Sequence, residues 1–479
     1  MEVEYMFPKH KTRIICTIGP ASDSPEMMRQ LIEAGMNIAR LNFSHGEFDW
    51  HARTIRNLRE AAAQVNQRIA ILADLPGPKI RIGHLEKEPI ELQRDDTLIL
   101  TTENVMGNRN RVSVSLPQLP EVVKPGDILY INDGIIQVRV NEIHDQEVSC
   151  QVIVGGELRT HKGLNLPGID LGMCAFTERD RECLEFALKH GVDAVSQSFV
   201  NNREDIDAVR KAARQLGYQP FIVAKIERAG ALQNIEEIIE AADGIMIARG
   251  DLGVETHIES IAVTQKELTR LANRLAKPVI TATQMLESMV ENKRPTRAEA
   301  TDVANAILDG TDCIMLSEES AMGRYPVAAA LMLSGIAEAT EPNRDEFRPF
   351  EVESVCIDNR LLPLPEIISR NVRQTVDHIE PTAVIVHTQT GYTARMISRF
   401  KLPVWTVAVS NSKVVSQQLM FTYGVYPIHL NELPNDWNEF VRELIKKHKL
   451  EGTKFVLTEG PSPEYPSINP RVEIIDLAQ

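Results

Sequence analysis

Glu227 in FIVAKIE and Asp251 in GIMIARGD each stand where an apolar run of the kind that becomes a buried strand gives out. If those two strands are neighbours, the carboxylates can share one hard divalent ion, Mg²⁺ or in its place Mn²⁺, with water and substrate oxygens filling the other positions. The competing reading is that they cap helices or pair with Lys225 and Arg249. Lys225 lies two residues before Glu227, on the same face of its strand. A lysine beside a metal-binding carboxylate suits charge stabilisation of a phosphoryl group in transfer. In ARGDLGVE the backbone N–H groups of Gly250 and Asp251 can meet a small anion, although glycine after a strand is also an ordinary turn.

Other apolar runs end on polar residues as well: Arg40, Asn42, Ser44 and His45; Asp74 with Lys79 and Arg81 beyond it; Ser198; Thr281, Thr283 and Gln284; Ser317 and Glu319. Arg40 and Arg81 can be forked phosphate ligands or surface ion pairs. His45 suits a ligand or a structural histidine equally.

These side chains need a frame that gathers strand ends. Eight apolar runs (TRIICTIG, NIARLNF, IAILADL, DAVSQSF, FIVAKIE, GIMIARG, PVITAT, CIMLSEE) alternate with amphipathic segments such as VTQKELTRLANRLA. Eight strand-helix units in order predict an α/β fold, a closed (β/α)8 TIM barrel ahead of an open doubly wound sheet. Barrel active sites lie at the C-terminal ends of the strands, which is where these polar residues fall. Short alternating runs with turn signals, from DDTLIL to EVSCQVIVGG, interrupt the third unit and predict a small β-barrel lid domain. After the charged connector EPNRDEFRPFEVES, alternation resumes as a C-terminal α/β domain. The expected organisation is barrel 1–82, lid 83–167, barrel 168–340 and C-terminal domain 341–479.

The 479 residues carry 52 basic and 67 acidic side chains, a net charge of -15, so no nucleic-acid partner is expected and any anion must be met by local cations. Six scattered cysteines fit reduced thiols in a cytosolic protein. MEVEYMFPKHK has no apolar signal core and no run is long enough for a membrane helix, so a soluble, cytoplasmic protein without membrane contact is expected.

RLNFSHG, DLPGPKIR, KGLNLPG, AKIERAGALQNIEEI, GIMIARGDLGVE, PVITATQMLESM and RPTRAEATDVANAILDGTDCIMLSEES occur in this order. With them the chain resembles the pyruvate kinases across the barrel and insertion, and more loosely beyond. The resemblance implies phosphoryl transfer from phosphoenolpyruvate to ADP, the last step of glycolysis, in a homotetramer. It implies that Glu227 and Asp251 hold Mg²⁺, that Lys225 stabilises the phosphoryl group in flight, and that Arg40 meets the phosphates. Thr283 and the backbone of Gly250 and Asp251 would hold the substrate carboxylate, with Thr283 near the proton-donating water path. Asn42, His45, Arg81, Asp133 and Lys162 would surround the nucleotide.

Pyruvate kinases commonly hold potassium at the positions of Asn42, Ser44, Asp74 and the Leu75 carbonyl. Those that need it have glutamate where this chain has Lys79, so the resemblance implies that K⁺ is not required. Pro76, Gly77 and Pro78 stiffen the turn after Asp74, and a long ammonium side chain at Lys79 can reach back to the same place. The chain departs from the family pattern at Asn201, where an arginine usually makes a lid-to-barrel salt bridge, at Glu318 near ADP, and in EGPSPEYPSINP, where a flexible effector loop is usual. The turn HTQTGYTAR, with Thr388, Thr390, Gly391 and Thr393, is a candidate cradle for a phosphorylated-sugar or nucleotide effector, or simply a strand-to-helix turn. A lyase handling pyruvate or phosphoenolpyruvate on a similar barrel would not need the insertion. A catalytically dead relative would have lost Lys225 or a metal ligand, and both are present.

Overall fold

The computed structural model describes residues 7–132, 134–169, 172–347, 362–460 and 469–478. Eight parallel strands close into a barrel: β1 (Arg13–Thr17), β2 (Met36–Asn42), β3 (Ala70–Leu75), β4 (Ala194–Gln197), β5 (Phe221–Ile226), β6 (Gly244–Ala248), β7 (Val279–Ala282) and β8 (Cys313–Leu316). All eight match the expected runs. Their side chains are almost wholly buried, because the barrel fills one face and a ring of helices covers the other. Ile15, Ile38, Leu72, Phe221, Val223, Met246, Ile280 and Met315 pack the interior.

Two further residues complete that interior from far along the chain. Met420 and Phe421, in the short turn Leu419–Phe421, belong to the same core, and the Phe421 ring stacks on Phe221 with centroids 5.1 Å apart. Burial of one such ring contributes about 1.5–3 kcal/mol. Polar bonds fix the contact: Arg13 Nε donates to the Thr422 carbonyl at 3.2 Å, the Tyr423 N–H donates to Asp312 Oδ1 at 2.9 Å, and Lys401 pairs with Asp312 at 2.7 Å.

The insertion forms a six-stranded sheet and a two-stranded ribbon around its own core of Leu98, Leu100, Val138, Val140 and Val152. The C-terminal sheet has five strands, four parallel and the last, Arg471–Asp476, antiparallel at one edge. Among the described residues no helix is long and apolar enough to cross a membrane. The five described cysteines are all free thiols, and Cys356 lies outside the described residues.

Local signals act as expected at two junctions that matter for the site. Thr296 and Glu299 form the capping box that starts the helix Arg297–Asp309, with Gly310 ending it at φ +100°. After β3 the chain turns at Gly77, φ +65°, where an added Cβ would lie 2.8 Å from the Phe199 ring and 3.0 Å from the Ser198 carbonyl. Glycine is required there for both conformation and space. The Gly77 N–H donates to Asp180 Oδ1 at 2.8 Å, and Asp180 is itself the capping-box acid of the helix Glu178–Lys189. The stiff turn is thereby tied to that helix.

Candidate active site

Strand register assembles the site. Asn42, Asp74 and Ser196 are partners across β2, β3 and β4, and Thr17 is the partner of Arg40 across β1 and β2. Asp74 is 2% exposed, and its carboxylate accepts from Arg40 at 2.6 and 3.1 Å and from Ser196 Oγ at 2.6 Å. Arg40 also donates to Thr17 Oγ1 at 2.9 Å. Burial alone would raise the Asp74 carboxyl, but Lys225 and then Arg40 outweigh it and hold it below the usual range.

Lys225 Nζ is the centre of this arrangement. It lies 3.2 Å from Glu227 and 3.5 Å from Asp74, and donates to Ser198 Oγ at 2.8 Å. Burial disfavours its charge, yet Asp74 and then Glu227 compensate and keep the ammonium protonated. Ser198 in turn donates to the Leu75 carbonyl at 2.7 Å. Glu227 is 1% exposed and accepts from the Phe199 N–H at 2.6 Å, with Phe199 held at φ +60°. Burial lifts this carboxyl well above its ordinary value, with Lys225 opposing and Asp251 reinforcing the shift.

Asp251 ends up near Glu227 because β5 and β6 are neighbours, and among the described residues it makes no ion pair. Of the expected ion pairs, Glu227 does pair with Lys225, while Arg249 turns to Asp302 at 2.6 Å. Two carboxylates, one free of ion pairs, offer the sparse hard-oxygen set that suits Mg²⁺, an ion that keeps most of its water.

Thr283 and Gln284 follow β7 at φ +67° and +53°, a costly conformation for a β-branched residue. Thr283 Oγ1 donates to the Ala282 carbonyl at 2.6 Å and accepts from the Gly250 N–H at 2.8 Å. The Gly250 N–H is therefore already engaged. Arg249 braces the turn from behind, donating to the Ala282 and Thr283 carbonyls at 3.3 and 2.8 Å.

Around this centre, His45 is exposed, and partial desolvation followed by the charges of Arg81, Lys79 and Arg40 holds its imidazole below the usual value. Arg81 donates to the His161 carbonyl at 2.8 Å, and the Lys162 carbonyl accepts from the Ile82 N–H at 2.9 Å. Asn42 Oδ1 accepts from the Ser44 N–H at 3.1 Å. Among the described residues Lys79 makes no ion pair with Asp74. Its side chain is exposed, and its Cε lies 3.7 Å from where a Cβ on Gly163 would stand. Arg40 and Lys225 are the cations paired with Asp74, and the Lys79 charge acts on His45 beside those of Arg81 and Arg40. Asp133 lies outside the described residues.

At the departures, the Asn201 N–H bonds Asp205 at 2.8 Å and its carbonyl accepts from Asn234 at 3.0 Å, so it stays with the barrel. Arg228 instead reaches the Ile169 carbonyl at 2.8 Å. Glu318 is exposed. In the C-terminal turn, Thr388 Oγ1 accepts from the Gly391 N–H at 3.0 Å and Thr390 Oγ1 from the Tyr392 N–H at 3.3 Å, and Thr393 lies in the helix Tyr392–Ser398. Most of EGPSPEYPSINP lies outside the described residues.

The sequence pointed to Ser198 as a polar strand end without giving it a partner, and it did not single out Ser196, Thr17 or the Arg249–Asp302 brace. The signal for the serines is their period-two spacing in an otherwise apolar run, DAVSQSF, which turns both toward the barrel mouth.

A largely buried lysine between carboxylates, beside several cations at the C-terminal face of a barrel, suits a metal-assisted enzyme of anionic substrates. The family described as pyruvate kinase, barrel domain, matches residues 9–330, and the pyruvate kinase alpha/beta domain matches 366–464. The chain is 46% identical over 431 residues to a pyruvate kinase of Thermococcus litoralis, covering 90% of each. It is 41% identical over 458 residues to pyruvate kinase 2 of a Synechocystis species, covering 94% of this chain and 76% of that one. The solved structure of a pyruvate kinase from Cryptosporidium parvum superposes with a TM-score of 0.88 at 34% identity, over 98% of this chain and 96% of the other. The chain belongs to the pyruvate kinase family. Enzymes of this family transfer a phosphoryl group from phosphoenolpyruvate to ADP, generally need Mg²⁺ and usually need K⁺.

Proposed function

We propose that this chain phosphorylates ADP with phosphoenolpyruvate through Lys225, Arg40 and Thr283, without requiring potassium. The observation that carries the proposal is Lys225, kept charged among Asp74, Glu227 and Ser198 on the face where substrate would lie. Arg40 presents its guanidinium to the phosphates, and Lys225 balances the charge on the phosphoryl group as its bond to the enolate oxygen breaks and that to ADP forms. Gly250 and Asp251 receive the carboxylate on backbone N–H groups once Thr283 yields its bond to Gly250. The released Thr283 hydroxyl then orders the water that gives enolpyruvate its proton. Glu227 and Asp251 would hold Mg²⁺, or Mn²⁺, which would draw in the phosphoryl oxygens. His45, kept neutral, joins Asn42, Arg81, Lys162 and Asp133 around the nucleotide, with the insertion, taken as 83–167, as lid.

A lactate-dehydrogenase-coupled assay with phosphoenolpyruvate, ADP and Mg²⁺ tests this. Absence of pyruvate formation would overturn it. Two features favour a homotetramer: Ile474 is 53% exposed on the edge strand of the C-terminal sheet, and Ile258 is 68% exposed beside the helix Ile261–Arg274. An edge strand can pair with the same strand of another copy, and the family resemblance supplies the number four. Light scattering should give four subunits, and monomer alone at micromolar protein would remove the claim.

The turn from Thr388 to Thr393 is proposed as the phosphate cradle of an allosteric effector, supported by its two hydroxyls and Gly391 at φ +77°. A phosphorylated sugar or nucleotide should lower the half-saturating phosphoenolpyruvate concentration, and Thr388→Ala with Thr390→Ala should abolish that shift. Activation that persists in the double variant places the effector elsewhere.

A further inference from the structure

The insertion carries a groove that the proposed chemistry leaves unused. It has a volume of about 410 Å³. Gly83, Ser113 and Val114 line it, and a Cβ at 83 would press on the Ser113 hydroxyl. Lys79, Arg81, His84, His161, Glu103 and Asn104 line it as well.

The charge around this groove is one-sided. Glu103, its one acid, is paired with Arg111 at 2.6 Å, and Arg111 also meets Glu147 at 2.7 Å. The imidazoles of His84 and His161 meet edge to face with centroids 4.3 Å apart. Among the described residues, these rings, the Lys79 ammonium and the Asn104 amide make no hydrogen bond or ion pair with the chain. Arg81 is the exception, holding the His161 carbonyl with one nitrogen and leaving the rest of its fork available. These exposed groups are met by water alone, and a phosphate oxygen can take the place of that water on each N–H.

We infer that this groove is a second anion subsite, taking a small polyphosphate through Lys79, Arg81, His84, His161 and Asn104. The inference rests on the assignment of Arg81 to the nucleotide phosphates, because Lys79 and Arg81 border both places. An occupant that draws these two cations toward the insertion withdraws positive charge from the nucleotide path. Occupancy therefore raises the KM for ADP and leaves the site for phosphoenolpyruvate unchanged.

Calorimetric titration of the metal-free protein with inorganic triphosphate, paired with ADP kinetics, tests the inference. In wild type, triphosphate should bind and raise the KM for ADP. The double variant His84→Ala with His161→Ala should bind it about tenfold more weakly, as should Asn104→Asp, an exposed change that places a repelling charge on the lining without disturbing Gly83 or Ser113. Both variants should keep the KM for ADP within about twofold when triphosphate is absent, since neither residue set belongs to the proposed nucleotide site. Equal affinity and equal inhibition in wild type and both variants would overturn the subsite, placing triphosphate in the nucleotide path alone. No binding to wild type at 10-fold the concentration that saturates with ADP would overturn it too. The nucleotide assignment fails separately, if Arg81→Ala leaves the KM for ADP unchanged.

Discussion

Lys225→Ala should lower kcat by about a thousandfold or more at saturating Mg²⁺, the loss expected when a preorganised charge is removed from a dry site. The fold should survive. Asp74 keeps Arg40 and Ser196 as partners, and Glu227, already inclined by burial to take up a proton, is neutralised once the ammonium is gone. Circular dichroism and the thermal midpoint separate loss of chemistry from loss of structure. Measuring the rate against Mg²⁺ concentration separates weaker metal binding, which more metal restores, from the missing charge, which it does not. A variant that keeps more than about a tenth of the wild-type rate would show that Lys225 only balances Asp74 and Glu227.

Lys79→Glu should make the enzyme inactive until potassium is supplied. The wild type should change less than about twofold when K⁺ is raised to about 100 mM at constant ionic strength, from a buffer whose only monovalent cation is bulky and quaternary. The physical case is that of a tethered charge replacing a free one. Oxygens around the expected ion position already have donors within the chain: Ser44 N–H on Asn42, Ser196 and Arg40 on Asp74, and Ser198 on the Leu75 carbonyl. Lys79 stands with Arg81 and Arg40 in the set of cations that acts on His45. Glutamate at 79 would subtract two charges from that set, and an added ion would restore one. A wild-type rate that rises about tenfold or more with potassium would return Lys79 to the solvent.

The barrel was legible because each of its strands is buried on both faces and so forms a continuous apolar run bounded by turns. The neighbourhood of Glu227 and Asp251 was legible for the same reason, since strands consecutive in a barrel are adjacent. The bonds that set protonation were not. Asp74 and Ser196 lie 122 positions apart, and their 2.6 Å contact depends on the register between β3 and β4, which periodicity does not encode. The left-handed backbone at Phe199 and Thr283 was hidden too, because neither residue type favours it and only the surrounding bonds impose it. The partners of Asp74 were hidden as well, because the length of Lys79 is visible in the sequence but the pairing of Asp74 with Arg40 and Lys225 is not.

Met420 and Phe421 give the chain a schedule. A ribosome delivers residues from the N-terminus at roughly 5–20 per second, and domains ordinarily fold as they emerge. Here the eighth barrel strand ends at Leu316, yet the barrel interior is not full until about a hundred further residues have been made, because Phe421 must stack on Phe221. Until then two of the side chains that fill the barrel interior are absent. The last third of the chain is thus part of the core of the first two.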